Sequence, residues 1–433
     1  MSISRAPSDT ALHAGGADFG RQIVCVAVSI VGTGNSIEGG HPTEAPPVGV
    51  RRSTTYFPEL ESLRGIAILL VFFFHLAGVI EPSGAQPGTV VSPLRAFLRA
   101  GDTGVSLFFV LSGFLLALPF LIEAGGGRRV VRRDYYTRRA LRILPLYYSA
   151  VLVSAVLCAR SAGDILRALP YIAFLNAAGL ATVLPPYSFV WWSLATEVQY
   201  YALLPFLPLL CRTRRGRWVG CAVLLTYAVA LWAFLTERLY GPTIAGHLLL
   251  ALSIFGRAPL FLCGILAGWI YLKQGERIRT ALARSAWLRY GGADLVLLAL
   301  LTGLGFVLQW VVFHGHWAVE GHPGHICHLL EGVLWAAVLL LVLLAPLRSK
   351  PLCSNRLLST LGILSYSMYL WHVPLMWLGA AWLHALYPAA FVPGSWSLAG
   401  TVIMMTVLTI ALSAVTYRAI ERPFLARKAR IDR

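Results

Sequence analysis

Two side chains that could bind or activate a substrate share one face of an apolar segment near the beginning of the chain. Arg64 and His75 lie eleven residues apart in ESLRGIAILLVFFFHLAGVI, so on a helix they return to within about 20° of the same face. At about 1.5 Å per residue they are about 16 Å apart along it and cannot touch if the helix is regular. The spacing predicts a guanidinium at the rim of the helix and, deep inside, an imidazole suited to general-base chemistry near neutral pH. Two alternatives are open, an Arg64 that only snorkels to the interface and a His75 that only hydrogen-bonds a neighbouring helix.

A second apolar segment, FVWWSLATEVQYYALLPFL, carries a polar stripe at helical spacing. Ser193, Glu197 and Tyr200 recur at i, i+4 and i+7 and therefore share a face. A carboxylate here needs a partner, because an unpaired charge in apolar surroundings is costly. Counted from the ends of their segments, Glu197 and His75 both fall slightly outside the midplane of a hydrocarbon core about 30 Å thick. The three polar residues of the stripe are therefore candidate site residues.

Three further arginines are candidates for binding ligands. Arg139 and Arg142 in RRDYYTRRALRILPLYY are three residues apart, in the loop before the third apolar segment, and share a face. Guanidinium groups so placed suit a phosphorylated ligand, because the planar fork binds phosphate bidentately. The alternative is that Arg139 and Arg142 only hold this end of the segment on the cytoplasmic side through their positive charge. Arg257, within another apolar segment, is a candidate for substrate contact, or it neutralises Glu331 or Glu197.

A histidine-rich loop gives a weaker signal. HGHWAVEGHPGHICH, from His314 to His328, offers five histidines and Cys327, which are ligands that zinc or copper accepts. A histidine-rich loop is more often incidental, and we expect no metal. His372, in SYSMYLWHVPL, is expected to make a hydrogen bond between packed helices.

The composition indicates the kind of protein that positions these residues. Of 433 residues, 57% are hydrophobic and only 13% are charged, whereas a soluble domain carries about 25% charged residues. Seven cysteines without regular spacing exclude a disulfide scaffold. The net charge of +17 does not indicate nucleic-acid binding, because the positive residues fall between apolar blocks. The composition predicts an all-α polytopic membrane protein.

Ten apolar segments are long enough, or nearly so, to cross a bilayer, which takes about 20 residues. They are Ser62–Ile80, Gly101–Ile122, Leu146–Ala159, Phe189–Leu210, Trp218–Thr236, Leu249–Leu272, Leu295–Phe313, Cys327–Ala345, Gly362–Leu383 and Leu398–Tyr417. With both termini in the cytoplasm, the inner segments hold 29 Lys and Arg residues and the outer loops hold 5. This alternation agrees with the positive-inside rule and supports the orientation.

Three regions follow from this pattern. Residues 1–55, rich in Gly, Ser, Pro and Ala, are expected to form a disordered cytoplasmic leader. Residues 56–425 form the transmembrane domain, and 426–433 form a basic cytoplasmic tail. The semi-apolar stretch 166–186 is a candidate re-entrant segment.

These segments together resemble the membrane-bound acyltransferase 3 family, which includes bacterial O-antigen and exopolysaccharide O-acetyltransferases. The matching pieces are FPELESLRGIAILLVFFFH, GDTGVSLFFVLSGFLL, YYTRRALRILPLYY, FVWWSLATEVQYYALLPFL, LSYSMYLWHVPL and YRAIERPF, in order from residue 57 to 424. Two positions depart from the common pattern: Ser106 replaces an acidic residue, and Val198 replaces a second glutamate.

The resemblance implies acyl transfer from a coenzyme A thioester, most simply acetyl-CoA, to a carbohydrate or glycan hydroxyl at the bacterial inner membrane. Arg64, Arg139 and Arg142 would bind the donor's phosphates on the cytoplasmic side. His75 would act as base or as a transient acyl carrier, and Glu197 would hold its tautomer. Ser193, Tyr200 and Arg257 would contact substrate. The acyl group, the acceptor and the oligomeric state stay open.

Two other classes of membrane protein would show the same apolar segments and buried charges. A multi-pass transporter of glycolipids or small molecules is one, although no internal repeat or pair of related halves is found. A non-catalytic component of a glycan-assembly complex is the other. Binding of acetyl-CoA would separate both from the enzyme.

Overall fold

The architecture follows from a computed structural model, which describes residues 57–80, 90–158, 161, 163, 166, 169–175, 190–236, 252–314, 323–387 and 395–431. Within these ranges the chain is helical and forms no β-strand, as expected where backbone polar groups must be satisfied inside each segment. The helices are α1 (Pro58–Ile80), α2 (Pro93–Arg99), α3 (Thr103–Ala124), α4 (Arg132–Cys158), α5 (Leu169–Ile172), α6 (Trp192–Leu203), α7 (Leu207–Arg212), α8 (Arg214–Leu235), α9 (Ile254–Arg284), α10 (Ala293–His314), α11 (Pro323–Leu344), α12 (Lys350–Cys353), α13 (Arg356–Leu386), α14 (Trp396–Thr416) and α15 (Arg422–Ile431).

Nine helical stretches of the described chain are long and apolar enough to cross a bilayer. They confirm the prediction of an all-α polytopic membrane protein and correspond to nine of the ten predicted segments. The tenth, Gly362–Leu383, lies inside α13, which is long enough at 31 residues. Ser365, Ser367 and His372 interrupt its apolar sequence, and two of these side chains make the contacts with α1 described below.

One predicted boundary is wrong in a way that concerns the site. The third segment was expected to begin at Leu146, with Arg139 and Arg142 in a preceding loop, but α4 begins at Arg132. Its first turns are amphipathic, with Tyr135 buried and the opposite side exposed, so a search for apolar runs detects only the later part of the helix. Both arginines therefore lie on a regular helix, which fixes their common face.

A single residue joins two of these apolar stretches, Trp192–Arg212 and Arg214–Leu235. Thr213 ends α7 and caps α8, and its hydroxyl accepts a hydrogen bond from the Gly216 N–H over 2.9 Å. Its backbone is extended, at φ −108° and ψ 159°, as is usual for an N-cap residue. The chain reverses here among the arginines that the sequence predicts on the cytoplasmic side.

The first membrane helix packs against the late helix α13. Arg64 donates to Ser365 over 3.3 Å, and His75 lies 3.3 Å from His372. The later residue of α1 contacts the later residue of α13, so the two helices run parallel. The predicted alternation of inner and outer loops requires the same direction for both. At Gly65 a Cβ atom would overlap a backbone carbonyl of α13, so the absence of a side chain permits this close approach.

The chain divides into two compact units. One comprises residues 58–373 with 409–433 and contains every site residue discussed below. In the other, the described residues are 57, 374–387 and 395–408, which include the end of α13 and the first part of α14. Gly379 approaches the Met405 side chain there. The predicted leader 1–55 and most of the stretch 166–186 lie outside the described residues. The predicted boundary between 425 and 426 falls within α15.

Candidate functional site

One cavity, of about 110 Å³, gathers polar residues from five helices. It contains five of the eight residues that the sequence nominated: Arg64 of α1, Arg139 and Arg142 of α4, and Ser193 and Glu197 of α6. The wall formed by α3 is mostly apolar. The other residues that line the cavity are Val105, Phe108, Phe109, Leu111, Ser112, Leu115, Leu116, Ile143, Leu194, Tyr201, Ser365, Tyr366 and Tyr369.

The cavity carries an excess of positive charge. Three arginines face a single lining carboxylate, Glu197, and Arg64 lies within electrostatic range of Arg142 and of the buried Glu421. The Nε atoms of Arg64 and Arg139 are buried and have no hydrogen-bond partner among the described residues. Buried donors are costly to leave unsatisfied. The arrangement therefore suits an anionic ligand with several acceptor oxygens.

Glu197 does not contact His75. Its Oε1 accepts a hydrogen bond from Ser112 Oγ over 2.6 Å, across the interface between α3 and α6. The hydrogen bonds described for His75 go to Val71 and His372, so these contacts do not support the prediction that Glu197 sets the His75 tautomer, and it stays a prediction. Glu197 is instead the carboxylate that balances part of the arginine charge.

The end of the cavity away from the Arg139–Arg142 pair is built from hydroxyl groups. Tyr369 donates to the carbonyl oxygen of Val190 and therefore accepts from Ser193, whose Oγ lies 2.6 Å from the phenolic oxygen. Both side chains are buried. This pair fixes α6 to α13 and leaves two hydroxyl oxygens at the cavity wall.

His75 is not among the residues that line the cavity. His75 Nδ1 is 2.8 Å from the carbonyl oxygen of Val71 and 3.3 Å from His372 Nε2. His372 lies three residues beyond Tyr369 on α13, and the rings of these two residues are 5.6 Å apart. The imidazole predicted to do chemistry thus contacts His372, which lies about one turn of α13 beyond the lining residue Tyr369.

Arg257 belongs to a second buried cluster and does not pair with Glu197. Its Nη1 lies 2.6 Å from His328 Nε2, and His328 Nδ1 lies 3.5 Å from Glu331 Oε1. Glu331 also accepts from Thr103 over 3.0 Å. The alternative in which Arg257 neutralises Glu331 thus agrees with the structure, through a bridging imidazole. The cluster ties α3, α9 and α11 together.

Tyr200 also lies outside the cavity. Its hydroxyl donates to the carbonyl oxygen of Gly113 over 3.4 Å, and its ring stacks on Phe261 at a centroid distance of 4.2 Å. Its contacts are those of a core residue between α3, α6 and α9. Of the three residues in the predicted i, i+4, i+7 stripe, Ser193 and Glu197 line the cavity and Tyr200 does not.

Several residues of the site were not nominated from the sequence. Ser365 and Tyr369 lie in the segment LSYSMYLWHVPL, and Glu421 lies in YRAIERPF; both segments carry the family resemblance. Polar residues in otherwise apolar helices are costly, and this signal could have nominated all three. The partners of each depend on helix packing and could not be read from the chain.

The described residues contain no group of three or more His, Cys, Asp or Glu side chains that could hold a metal ion. Most of the histidine-rich loop lies outside the described residues. His314 Nδ1 lies 2.8 Å from the carbonyl oxygen of Trp310 in its own helix. His328 belongs to the buried cluster with Arg257.

Comparisons with known proteins identify relatives of the chain. The acyltransferase 3 family model, described as an acyltransferase domain, matches residues 57–418. A Staphylococcus aureus protein provisionally named an O-acetyltransferase is 22% identical over 85% of this chain and 57% of its own length. A Bacillus subtilis protein provisionally named a peptidoglycan O-acetyltransferase is 23% identical over 85% and 55%. The peptidoglycan O-acetyltransferase of Listeria monocytogenes is 23% identical over 86% and 56%. The chain thus spans little more than half the length of these relatives, and no solved structure matches it significantly.

Proposed function

This chain belongs to the acyltransferase 3 family, and from that premise we propose that it is an integral membrane O-acyltransferase. The reaction moves an acyl group, most simply acetyl, from a coenzyme A thioester to a hydroxyl of a glycan. The acceptor class follows the names of the relatives, two of which act, by name, on peptidoglycan. The expected location is the bacterial plasma membrane. The observation that carries the proposal is the cavity in which three arginines and one carboxylate from separate helices converge.

The arginines bind the phosphates of the donor. Arg139 and Arg142 lie on one face of α4, and Arg64 lies opposite on α1, so their guanidinium groups can surround a polyanion. The buried Nε atoms of Arg64 and Arg139 gain acceptors when phosphate enters. Glu197 and Glu421 limit the charge that the empty site must bury. The positive-inside distribution supports an orientation in which this end of the cavity faces the cytoplasm.

The apolar wall on α3 receives the arm of the donor. From Arg64 to His75 the first helix rises by about 16 Å, and the lining residues between Leu116 and Val105 follow the same direction. The thioester then lies near Tyr369 and Ser193, next to the histidine pair. The acceptor approaches from the outer side of the membrane.

His75 is the proposed base. The acceptor oxygen attacks the thioester carbonyl carbon, the hydroxyl proton goes to His75 and the carbon–sulfur bond breaks, so that coenzyme A leaves as a thiolate. The thiolate then takes up the proton that the His75 imidazolium releases, which restores the base. A base of this kind contributes about 10²–10⁴-fold to a rate. In the alternative order, His75 attacks the thioester carbonyl carbon and the carbon–sulfur bond breaks, which releases the coenzyme A thiolate and leaves an acyl-imidazole. The acceptor hydroxyl then attacks the acyl carbon, the carbon–nitrogen bond breaks, and the thiolate takes up the hydroxyl proton.

Transfer of labelled acetyl groups tests the proposal. Membrane vesicles that contain the protein are given acetyl-CoA labelled in the acetyl group and peptidoglycan fragments or other oligosaccharides, and ester-linked label is measured. We expect transfer by the unaltered protein, loss in His75→Ala and Arg142→Gln, and full activity in Arg133→Gln, whose side chain is exposed on the same helix. Absence of transfer from acetyl-CoA, or full activity of His75→Ala, would contradict the proposal.

A further inference from the structure

Two buried histidines meet where the first membrane helix crosses α13. His372 Nε2 lies 3.3 Å from His75 Nδ1, and the ring centroids are 5.0 Å apart with the planes inclined at 62°. The His372 side chain has no exposed surface. A polar side chain enclosed in this way needs defined hydrogen bonds, and those bonds determine which nitrogen carries the proton.

The tautomer of His372 is set by its own helix. Nδ1 of His372 lies 3.0 Å from the carbonyl oxygen of Met368 and 2.9 Å from that of Tyr369. Carbonyl oxygens only accept hydrogen bonds, so Nδ1 carries the hydrogen and donates it. In the neutral ring Nε2 then has the lone pair and can accept from His75.

The tautomer of His75 follows from the same reasoning. Its Nδ1 faces two acceptors, the carbonyl oxygen of Val71 at 2.8 Å and His372 Nε2 at 3.3 Å. Nδ1 therefore carries the hydrogen, and Nε2 is the basic nitrogen of the neutral ring. The bond to Val71 comes from the same helix, whereas the contact with His372 comes from a helix about 300 positions later in the chain.

We propose that His372 is a positioning residue for the acyl transfer: with the Val71 carbonyl oxygen it shares the one hydrogen on His75 Nδ1, and so it holds the ring with Nε2 as the reactive nitrogen. The inference rests on the proposed role of His75. His372 occupies the place that a carboxylate fills in a hydrolase triad, but as a neutral imidazole. When Nε2 takes up a proton, the contact from His372 also stabilises the imidazolium, and the nearby Asp102 adds a negative charge.

Two substitutions that differ by one methylene group test this role. The amide of His372→Asn can replace Nδ1 and donate to the helix carbonyls, but it is too short to reach His75. The longer amide of His372→Gln brings an oxygen near the position of Nε2 and can accept from His75. We expect kcat to fall by about 10-fold or more in His372→Asn and by less than about 3-fold in His372→Gln, with the KM for acetyl-CoA within about 2-fold in both. Equal kcat for the two variants would overturn the proposal.

A spectroscopic measurement on the unaltered protein gives a second readout that does not depend on the activity of the His372 variants. ¹⁵N-labelled histidine distinguishes the two tautomers by chemical shift, and the His75 signal is identified by its loss in His75→Ala. We expect hydrogen on Nδ1 and none on Nε2 in the neutral ring, and hydrogen on Nε2 would overturn the inference. Full acetyl transfer by His75→Ala would instead refute the proposed function. Loss in His75→Ala with full activity of His372→Asn would refute only the role of His372.

Discussion

Replacing Arg142 by glutamine tests whether the cavity arginines recognise the phosphates of the donor. A hydrogen bond to a charged group contributes about 1.5–3 kcal/mol, which corresponds to about a 10- to 160-fold change in a dissociation constant. Arg142 also repels Arg64 across the cavity, and its removal relieves that repulsion. We therefore expect the dissociation constant of acetyl-CoA to rise by about 10- to 40-fold, toward the lower end of the range.

A donor without the nucleotide provides the matched comparison. S-acetylpantetheine has the same thioester and arm as acetyl-CoA but lacks the nucleotide phosphates. Binding of both compounds is measured at equilibrium, without acceptor, to the unaltered protein, to Arg142→Gln and to Arg133→Gln. Because the substitution removes a phosphate contact, it should weaken acetyl-CoA alone and leave S-acetylpantetheine unchanged. Arg133→Gln, exposed on the same helix, should change neither.

Two results would refute this reasoning. If Arg142→Gln weakened the binding of both compounds equally, Arg142 would maintain the shape of the cavity and would not bind phosphate. If it weakened neither, the donor's nucleotide would lie elsewhere, and the buried Nε atoms of the other two arginines would need a different ligand.

The remaining predictions concern helix packing and orientation. Gly362→Ala places a Cβ against the carbonyl oxygen of Glu61 and should lower the melting temperature in detergent, whereas Gly78→Ala, with open space around it, should not. Glu331→Ala removes the carboxylate from the Arg257 cluster and should cost about 3–5 kcal/mol in thermal unfolding, because a buried cation loses its counter-charge. A cysteine placed at Val90, in a chain whose native cysteines have been replaced, should react with an impermeant maleimide from outside intact cells; labelling only after lysis would reverse the predicted orientation.

The sequence predicted most of the fold because a bilayer restricts the choice of structure. Apolar runs of about 20 residues must be helices, and nine of the predicted segments are found. The start of α4 was missed because its first turns carry arginines and tyrosines that a hydropathy pattern assigns to a loop. Amphipathic turns at the end of a membrane helix are detected poorly by any rule that depends on apolar runs.

The site was predicted in part because intramembrane polar residues are costly and therefore informative. This argument nominated Arg64, Ser193 and Glu197, and all three line one cavity. It could not pair them, since helix contacts depend on packing between segments far apart in the chain. Glu197 was therefore expected beside His75, where the structure has His372, and Glu421 was not nominated although it lies within electrostatic range of Arg64.

The hydrogen bond between Arg64 and Ser365 joins positions 301 residues apart. At about 5–20 residues per second, about 15–60 s of synthesis separate the appearance of these two side chains at the ribosome. During that interval the helices that carry Arg64, Arg139 and Arg142 have already been synthesised, whereas α13, which forms one wall of the cavity, has not. A translation product that stops before Ser365 therefore lacks the wall of the cavity that α13 provides.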